Sequence, residues 1–353
     1  MSYSSVGVLY LSSLEFKVFW CCYQLNIIVD FHTHLPWRFK DINEASRALL
    51  SEMDKAGVTI AVVINVEFGV RTFLENVNVR RIIEAAAESI DFLMVPRIPY
   101  ITRIVLEPER AIEEHVRFMR ENHRDSVEFA RTLQGSQRLI PVSSFNPDLS
   151  IQENVAKLKI LGDLVLGVKI FPTLHFIRPD DEKLKPLYDL VADMGGVVIV
   201  HTGCDPGIWE LPAFCANARP SYVVRAARMS RDTRFIVAHL GSYSALNPGI
   251  YFREALEALA EDNVYADTSA ADPYYIERAV EEIGYDKLLF GSDYPAVQNL
   301  DIASALEELM MLDIPLKAKR AMVTDNPLKI LRDWSRWVYV EKALTRLSTG
   351  TIG

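Results

Sequence analysis

The chain has 353 residues, half of them hydrophobic and 24% charged, with a formal net charge of −9 and a sequence pI of about 5.4. That balance describes a soluble globular protein of one large or two ordinary domains, and it argues against a nucleic-acid partner, which calls for a basic face. Four cysteines (Cys21, Cys22, Cys204 and Cys215) with no CxxC pair are too few for a disulfide framework or a zinc knuckle, and they favour a reduced, cytoplasmic setting.

Residues 1–25, MSYSSVGVLYLSSLEFKVFWCCYQL, read as an N-terminal extension. The segment is apolar and aromatic, but it lacks a basic n-region, and Glu15 and Lys17 interrupt it, so neither an export signal nor a membrane span is expected. It reads as a cytosolic segment packed on the body, the rival explanation being a start placed too far upstream.

Apolar runs then recur. NIIVDFH begins at residue 26 and VTIAVVINV spans 58–66. RLIPVSSF (138–145), LVLGVKIF (164–171), GVVIVHTG (196–203), RFIVAHLG (234–241), NVYADTS (263–269) and KLLFGSDYP (287–295) follow. Between the later runs lie helix-like stretches at 148–161, 181–194, 221–230, 251–261, 274–283 and 301–312, and the tail from 315 also reads as helical, with Asn326-Pro327 suited to a helix start.

The runs are continuous rather than alternating, as parallel strands buried on both faces require. Eight such units predict a (β/α)8 TIM barrel, and no glycine-rich dinucleotide fingerprint supports an open doubly wound sheet. Residues 67–137 break the rhythm. With helix-like 75–90 and 107–133, they read as a helical insertion placed to cover the barrel mouth. Residues 26–353 then make one domain.

The strand ends carry the chemistry. His32 and His34 are two apart, so they share one side of their strand. VVIVH ends in His201, FIVAH in His239, LLFGSD in Asp293, and LGVK places Lys169 in the same relative position. A lone histidine after a strand is ordinary, but six such groups from five strands, at the end where barrel active sites form, point to a metal centre. His115 and His123 fall in a charged helical stretch and read as solvated. His175 lies in a loop, either at the surface or touching substrate.

Taken together, HTH, GVKIFP, VIVHTG, IVAHLGS, YADTS and LLFGSDYP resemble the amidohydrolase superfamily. The branch resembled is the amidohydrolase-related one that includes aminocarboxymuconate-semialdehyde decarboxylase. The resemblance covers roughly residues 26–335, the insertion matching poorly and residues 1–25 having no counterpart. It implies a distorted barrel with one divalent metal, most often zinc, held by His32, His34, His201 and Asp293. Asp293 would also take a proton from the activated water, and His239 would act as acid/base or electrophile. A second metal is implied only if Lys169 is carboxylated; otherwise its ammonium stands near the site, against a substrate carboxylate or Asp293.

Three imidazoles and a carboxylate suit zinc with one open position. The expected reaction is metal-dependent hydrolysis of a small carbonyl compound (amide, ester or lactone). The alternatives are decarboxylation or hydration of a small unsaturated or aromatic acid, and a catalytically inactive binding barrel. Substrate-contact candidates are Lys169, Trp37, Arg38 and His175, followed by Arg97, Tyr100 and Tyr243. The substrate is expected to be small and anionic, with no membrane or nucleic-acid partner, and pairing into a homodimer suits barrels of this kind.

Overall fold

The structure is a computed structural model, and it describes residues 27–88, 99–204, 208–245, 247–297 and 300–348. The extension at 1–25 and Arg97 lie outside the described residues, as does the side chain of Tyr100.

Each of the eight apolar runs forms a strand: β1 Val29–Thr33, β2 Ile60–Ile64, β3 Leu139–Ser144, β4 Gly167–Ile170, β5 Val197–Val200, β6 Arg234–Val237, β7 Val264–Asp267 and β8 Leu288–Leu289. They pair in parallel in the order β1 to β8. The ring closes just past β8: the Phe31 N–H donates to Phe290 O at 2.8 Å, and the Asp293 N–H donates to His32 O at 2.8 Å. Closure leaves no sheet edge, so the backbone groups of short, wholly buried strands find partners.

Two apolar layers follow from strand alternation. Val29, Ile60, Ile140, Val197, Ile199 and Ile236 fill the barrel interior, where Leu331 and Trp334 of the chain's tail join them. The Trp334 indole donates to Val165 O at 3.0 Å, just before β4, so the tail plugs the end opposite the site. The other strand face (Val63, Val168, Val198, Val237) packs on the outer helices through residues such as Leu49, Met53 and Tyr188.

Between β2 and β3 come helices Val70–Asn76, Val79–Glu88, Pro99–Leu106, Pro108–Asn122 and Ser126–Leu133. The helical stretch read at 107–133 divides at Asp125, whose carboxylate accepts from the N–H groups of Val127 and Glu128 and so starts a new helix. That last helix packs in the outer layer through Phe129, Ala130 and Leu133. The preceding ones form a separate cluster, in which Phe73, Ile82, Ile104 and Met119 meet Ile208, Trp209 and Phe214 from the segment after β5.

The same segment corrects the cysteine reading. Cys204 and Cys215 form a disulfide, their Cα atoms 5.1 Å apart. They stand eleven positions apart in sequence, and both are buried. Among the described residues no helix is long and apolar enough to cross a membrane.

Gly167 lies directly against Val197 of β5. A Cβ there would lie 1.8 Å from Val197 O, whereas one on Gly135 would meet nothing within 4 Å. Gly167→Ala should therefore lower the melting temperature markedly and Gly135→Ala should leave it within a degree or two; equal melting curves would show that β4 has room to move.

Candidate metal centre and substrate cavity

Strict alternation would misdirect β1. Val29 and Phe31 belong to the barrel interior, which would send His32 outward. The register with β2 runs Val29↔Ile60, Asp30↔Ala61 and then Thr33↔Val63, so β1 carries one extra residue between Asp30 and Thr33. A bulge resets the parity. His32 and His34 consequently line a cavity of about 1020 Å³ at the C-terminal end of the barrel. Gly291 makes the space, since a Cβ there would fall 2.6 Å from His32 Cβ.

Partners set the imidazole tautomers. His32 Nδ1 lies 2.8 Å from Asp267 Oδ2 and His34 Nδ1 lies 2.9 Å from Ile64 O. Both oxygens can only accept, so both Nδ1 atoms carry the proton and both Nε2 lone pairs turn towards Asp293. Asp293 Oδ1 is 3.3 Å from His34 Nε2 and 3.6 Å from His32 Nε2. The three ligand atoms lie within 4.8 Å of one another. Two neutral nitrogens and one carboxylate oxygen converging at that spacing fit a divalent cation.

A second trio, His32, His239 and Asp267, meets the same distance test. It uses the protonated face of His32 and reads as the network that orients the first. Ser269 joins it: its hydroxyl donates to Asp267 Oδ1 and stands 2.8 Å from His239 Nδ1 and 3.1 Å from His32 Nδ1.

His239 and His201 stand side by side. His239 Nδ1 lies 3.0 Å from Ser269 O and its Nε2 lies 3.1 Å from His201 Nδ1. The carbonyl again assigns the proton to Nδ1 of His239, whose Nε2 then accepts from His201. His201 lies flat on Phe171, with ring centroids 4.1 Å apart and planes 7° apart, and lines the same cavity, though outside both trios.

His239 and Asp293 both adopt positive φ, 62° and 54°. Non-glycine residues rarely do so, and the concentration of such conformations at chemically active side chains is a mark of function.

Burial lowers the pKa of His32, with the neighbouring Lys169 adding to it, and burial likewise lowers that of His239. Burial pushes Asp293 upward, but the contact with His34 and the adjacent imidazoles outweigh it and hold its carboxyl below the usual range. Asp30 is pushed up to about 7 by burial, although its carboxylate accepts from the N–H groups of Ser292 and His32.

The remaining candidates divide. Lys169 is fully buried and lines the cavity, its Nζ 3.5 Å from His32 Nε2. Trp37 and Tyr243 also line it. Arg38 is exposed, its guanidinium 4.9 Å above the Phe39 ring, and it stands outside the cavity lining. His175 is buried between Phe145 and Phe171, also outside the lining, so the surface reading fails for it. Its Nδ1 accepts from the Phe171 N–H at 3.0 Å.

The insertion also borders the cavity, with Arg103, Glu107, Glu114, His115 and Phe118 contributing to the lining. His115 is therefore a wall residue, where the sequence suggested a solvated one. Sequence reasoning also passed over Asp267 and Ser269. YADTS does end a strand in a carboxylate, which is the signal that would have found Asp267.

With this geometry in place, comparison with known proteins is informative. The sequence profile of the family described as Amidohydrolase matches residues 29–332. The chain belongs to the amidohydrolase family. No curated protein matches it by sequence. Among solved structures, it is similar to an uncharacterized TIM-barrel protein from Bordetella bronchiseptica (16% identity, 87% of this chain and 98% of that one, TM-score 0.57). It is similar to 5-carboxyvanillate decarboxylase from Sphingomonas paucimobilis (13%, 87% and 99%, TM-score 0.50). A third likeness is to a Pseudomonas putida protein provisionally described as a 2-pyrone-4,6-dicarboxylic acid hydrolase (15%, 87% and 98%, TM-score 0.52). At these identities the likeness concerns the fold.

If His32, His34 and Asp293 form the centre, elemental analysis should find one divalent metal per chain. It should find a small fraction of that in His34→Ala and Asp293→Ala, and full occupancy in Arg38→Ala. A second expectation concerns His175, whose pKa burial pushes down to about 3. The folded protein keeps this imidazole neutral while the unfolded chain protonates it, so its contribution is intact above pH 6.5 and is lost as pH falls towards 3. Urea titrations between pH 4 and 7 should show a stability slope shallower in His175→Asn than in the parent by up to ~1.4 kcal/mol per pH unit; identical slopes would show that His175 titrates normally.

Proposed function

We propose that this amidohydrolase-family chain is a metal-dependent hydrolase of a small, planar, anionic carbonyl compound. The observation that carries the reading is the convergence of His32 Nε2, His34 Nε2 and Asp293 Oδ1 at the strand ends, all within 4.8 Å of one another. His32, His34 and Asp293, with His201 alongside, would hold a zinc ion, which when bound would supply Lewis acidity and lower the pKa of water towards neutrality.

The chain's own groups do the rest. The carboxylate of Asp293 accepts the proton from the attacking water. His239 Nε2 takes that proton on from Asp293 and delivers it to the leaving group, its ring fixed by Ser269. Lys169 supplies a positive charge for an acidic substrate beside His32. Trp37, Phe68, Phe118 and Phe171 wall the cavity, which favours a flat ligand and excludes water.

Decarboxylation is the second reading. The Sphingomonas neighbour is a decarboxylase of an aromatic acid, and a buried Lys169 suits a carboxylate substrate as well as a lactone acid. In that case Asp293 first takes a proton from water and then delivers it to the carbon that loses CO2, the hydroxide left behind being reprotonated from solvent. The family and the cavity also support an enzyme with one metal ion, working on a small molecule.

Zinc-loaded protein incubated with a panel of lactones, amides and unsaturated or aromatic acids, scored for CO2 and for hydrolysis, separates the two. Hydrolysis without CO2 is expected, with kcat lower by roughly 100-fold or more in Asp293→Asn. Evolved CO2 selects the second reading, and a metal-loaded chain inert to the whole panel would overturn both in favour of a binding barrel.

A further inference from the structure

The cavity has two unlike ends. Strand termini supply the metal-ligand set, while the insertion supplies a lid. On helix Pro108–Asn122, Ala111, Glu114, His115, Phe118 and Met119 line the cavity, the spacing of one helix face. The charged members of that lid are engaged with one another. Arg103 Nη2 meets Glu114 Oε1 at 2.8 Å, and Arg110 meets Glu114 at 3.1 Å and Glu107 at 3.1 Å.

His115 differs. Its Nδ1 lies 2.8 Å from Ala111 O, one turn back on the same helix. The carbonyl assigns the proton to Nδ1, so Nε2 is an acceptor. The ring is held between Phe73, stacked at 6.2 Å and 11°, and Trp209, edge-on at 5.9 Å and 78°. Burial lowers its pKa against the Ala111 bond and the charge of Glu114, so the imidazole stays neutral. A neutral acceptor in this position offers nothing to a carboxylate and suits a hydroxyl.

We propose that His115 sets substrate specificity by accepting a hydrogen bond from a hydroxyl on the lid-side end of the substrate. The substrate is then a hydroxylated planar acid, with its carboxylate towards Lys169 and its hydroxyl towards the insertion. This rests on the metal-dependent reading of the same cavity. A site that hydrogen-bonds a hydroxyl discriminates strongly against an analogue without one, because its buried acceptor is left unpaired.

Trp37 and Trp209 line the cavity, so quenching of tryptophan fluorescence reports ligand binding. The probes are 4-hydroxybenzoate and 4-methoxybenzoate, in the second of which a methyl group replaces the hydroxyl proton, titrated into the zinc-loaded full chain. The parent should bind the hydroxy acid about tenfold more tightly. The ratio should fall to near one in His115→Phe and survive in part in His115→Gln, whose amide oxygen can accept, with unchanged zinc content and melting temperature in both. Equal affinities in the parent, a ratio that persists in His115→Phe, or no quenching by either probe would overturn the proposal. A chain that shows the ratio but takes up no metal would sink the functional reading and leave the role of His115 standing.

Discussion

Everything at the site depends on one extra residue in β1. Without it, His32 and His34 would face the outer helices, away from Asp293. The bulge is sustained from the opposite wall of the barrel. Asp30, buried at its base, accepts from the N–H groups of His32 and Ser292 and so ties β1 to the segment after β8. Gly291 leaves the volume into which the His32 side chain swings. A closed barrel makes this arrangement stiff, because the two segments it links are also the ones that complete the ring.

The second constraint is on protons. His32 must present a bare Nε2, and it does so because Asp267 holds its Nδ1 proton. Asp267 also accepts the backbone N–H of His239 at 3.1 Å and the hydroxyl of Ser269, so one carboxylate orients both imidazoles. These contacts offset the strain of His239 and Asp293 in the left-handed region, which is of order 1–3 kcal/mol for each residue. The Asp293 N–H bond to His32 O does the same from the other side.

Much of this was legible in the sequence. The eight strands announced themselves because strands buried on both faces must be apolar throughout, and the polar residue ending each run stood out against that background. Asp267 was less visible because a single acidic residue after a strand also describes a turn, and only the partner histidine across the barrel gives it meaning. The bulge was invisible, since it lies in the pairing of two strands and not in either one. The Cys204–Cys215 bond was hidden for a similar reason: a spacing of eleven positions does not say which two cysteines meet in space.

His115 shows a more general limit. Helical periodicity separates an apolar face from a polar one, and a polar face is ordinarily read as solvated. A lid helix has a third environment, a cavity wall that is partly polar because it meets ligand. Arg103, Glu114 and His115 therefore look like surface residues in a one-dimensional reading. In this architecture the strand ends carry the candidate metal-binding imidazoles and carboxylate. The insertion carries no part of the barrel's hydrogen-bonded ring, so its wall can change without disturbing the metal centre. Chemistry at the strand ends and discrimination at the lid thus rest on separate elements, and a change of substrate is most easily accommodated between β2 and β3.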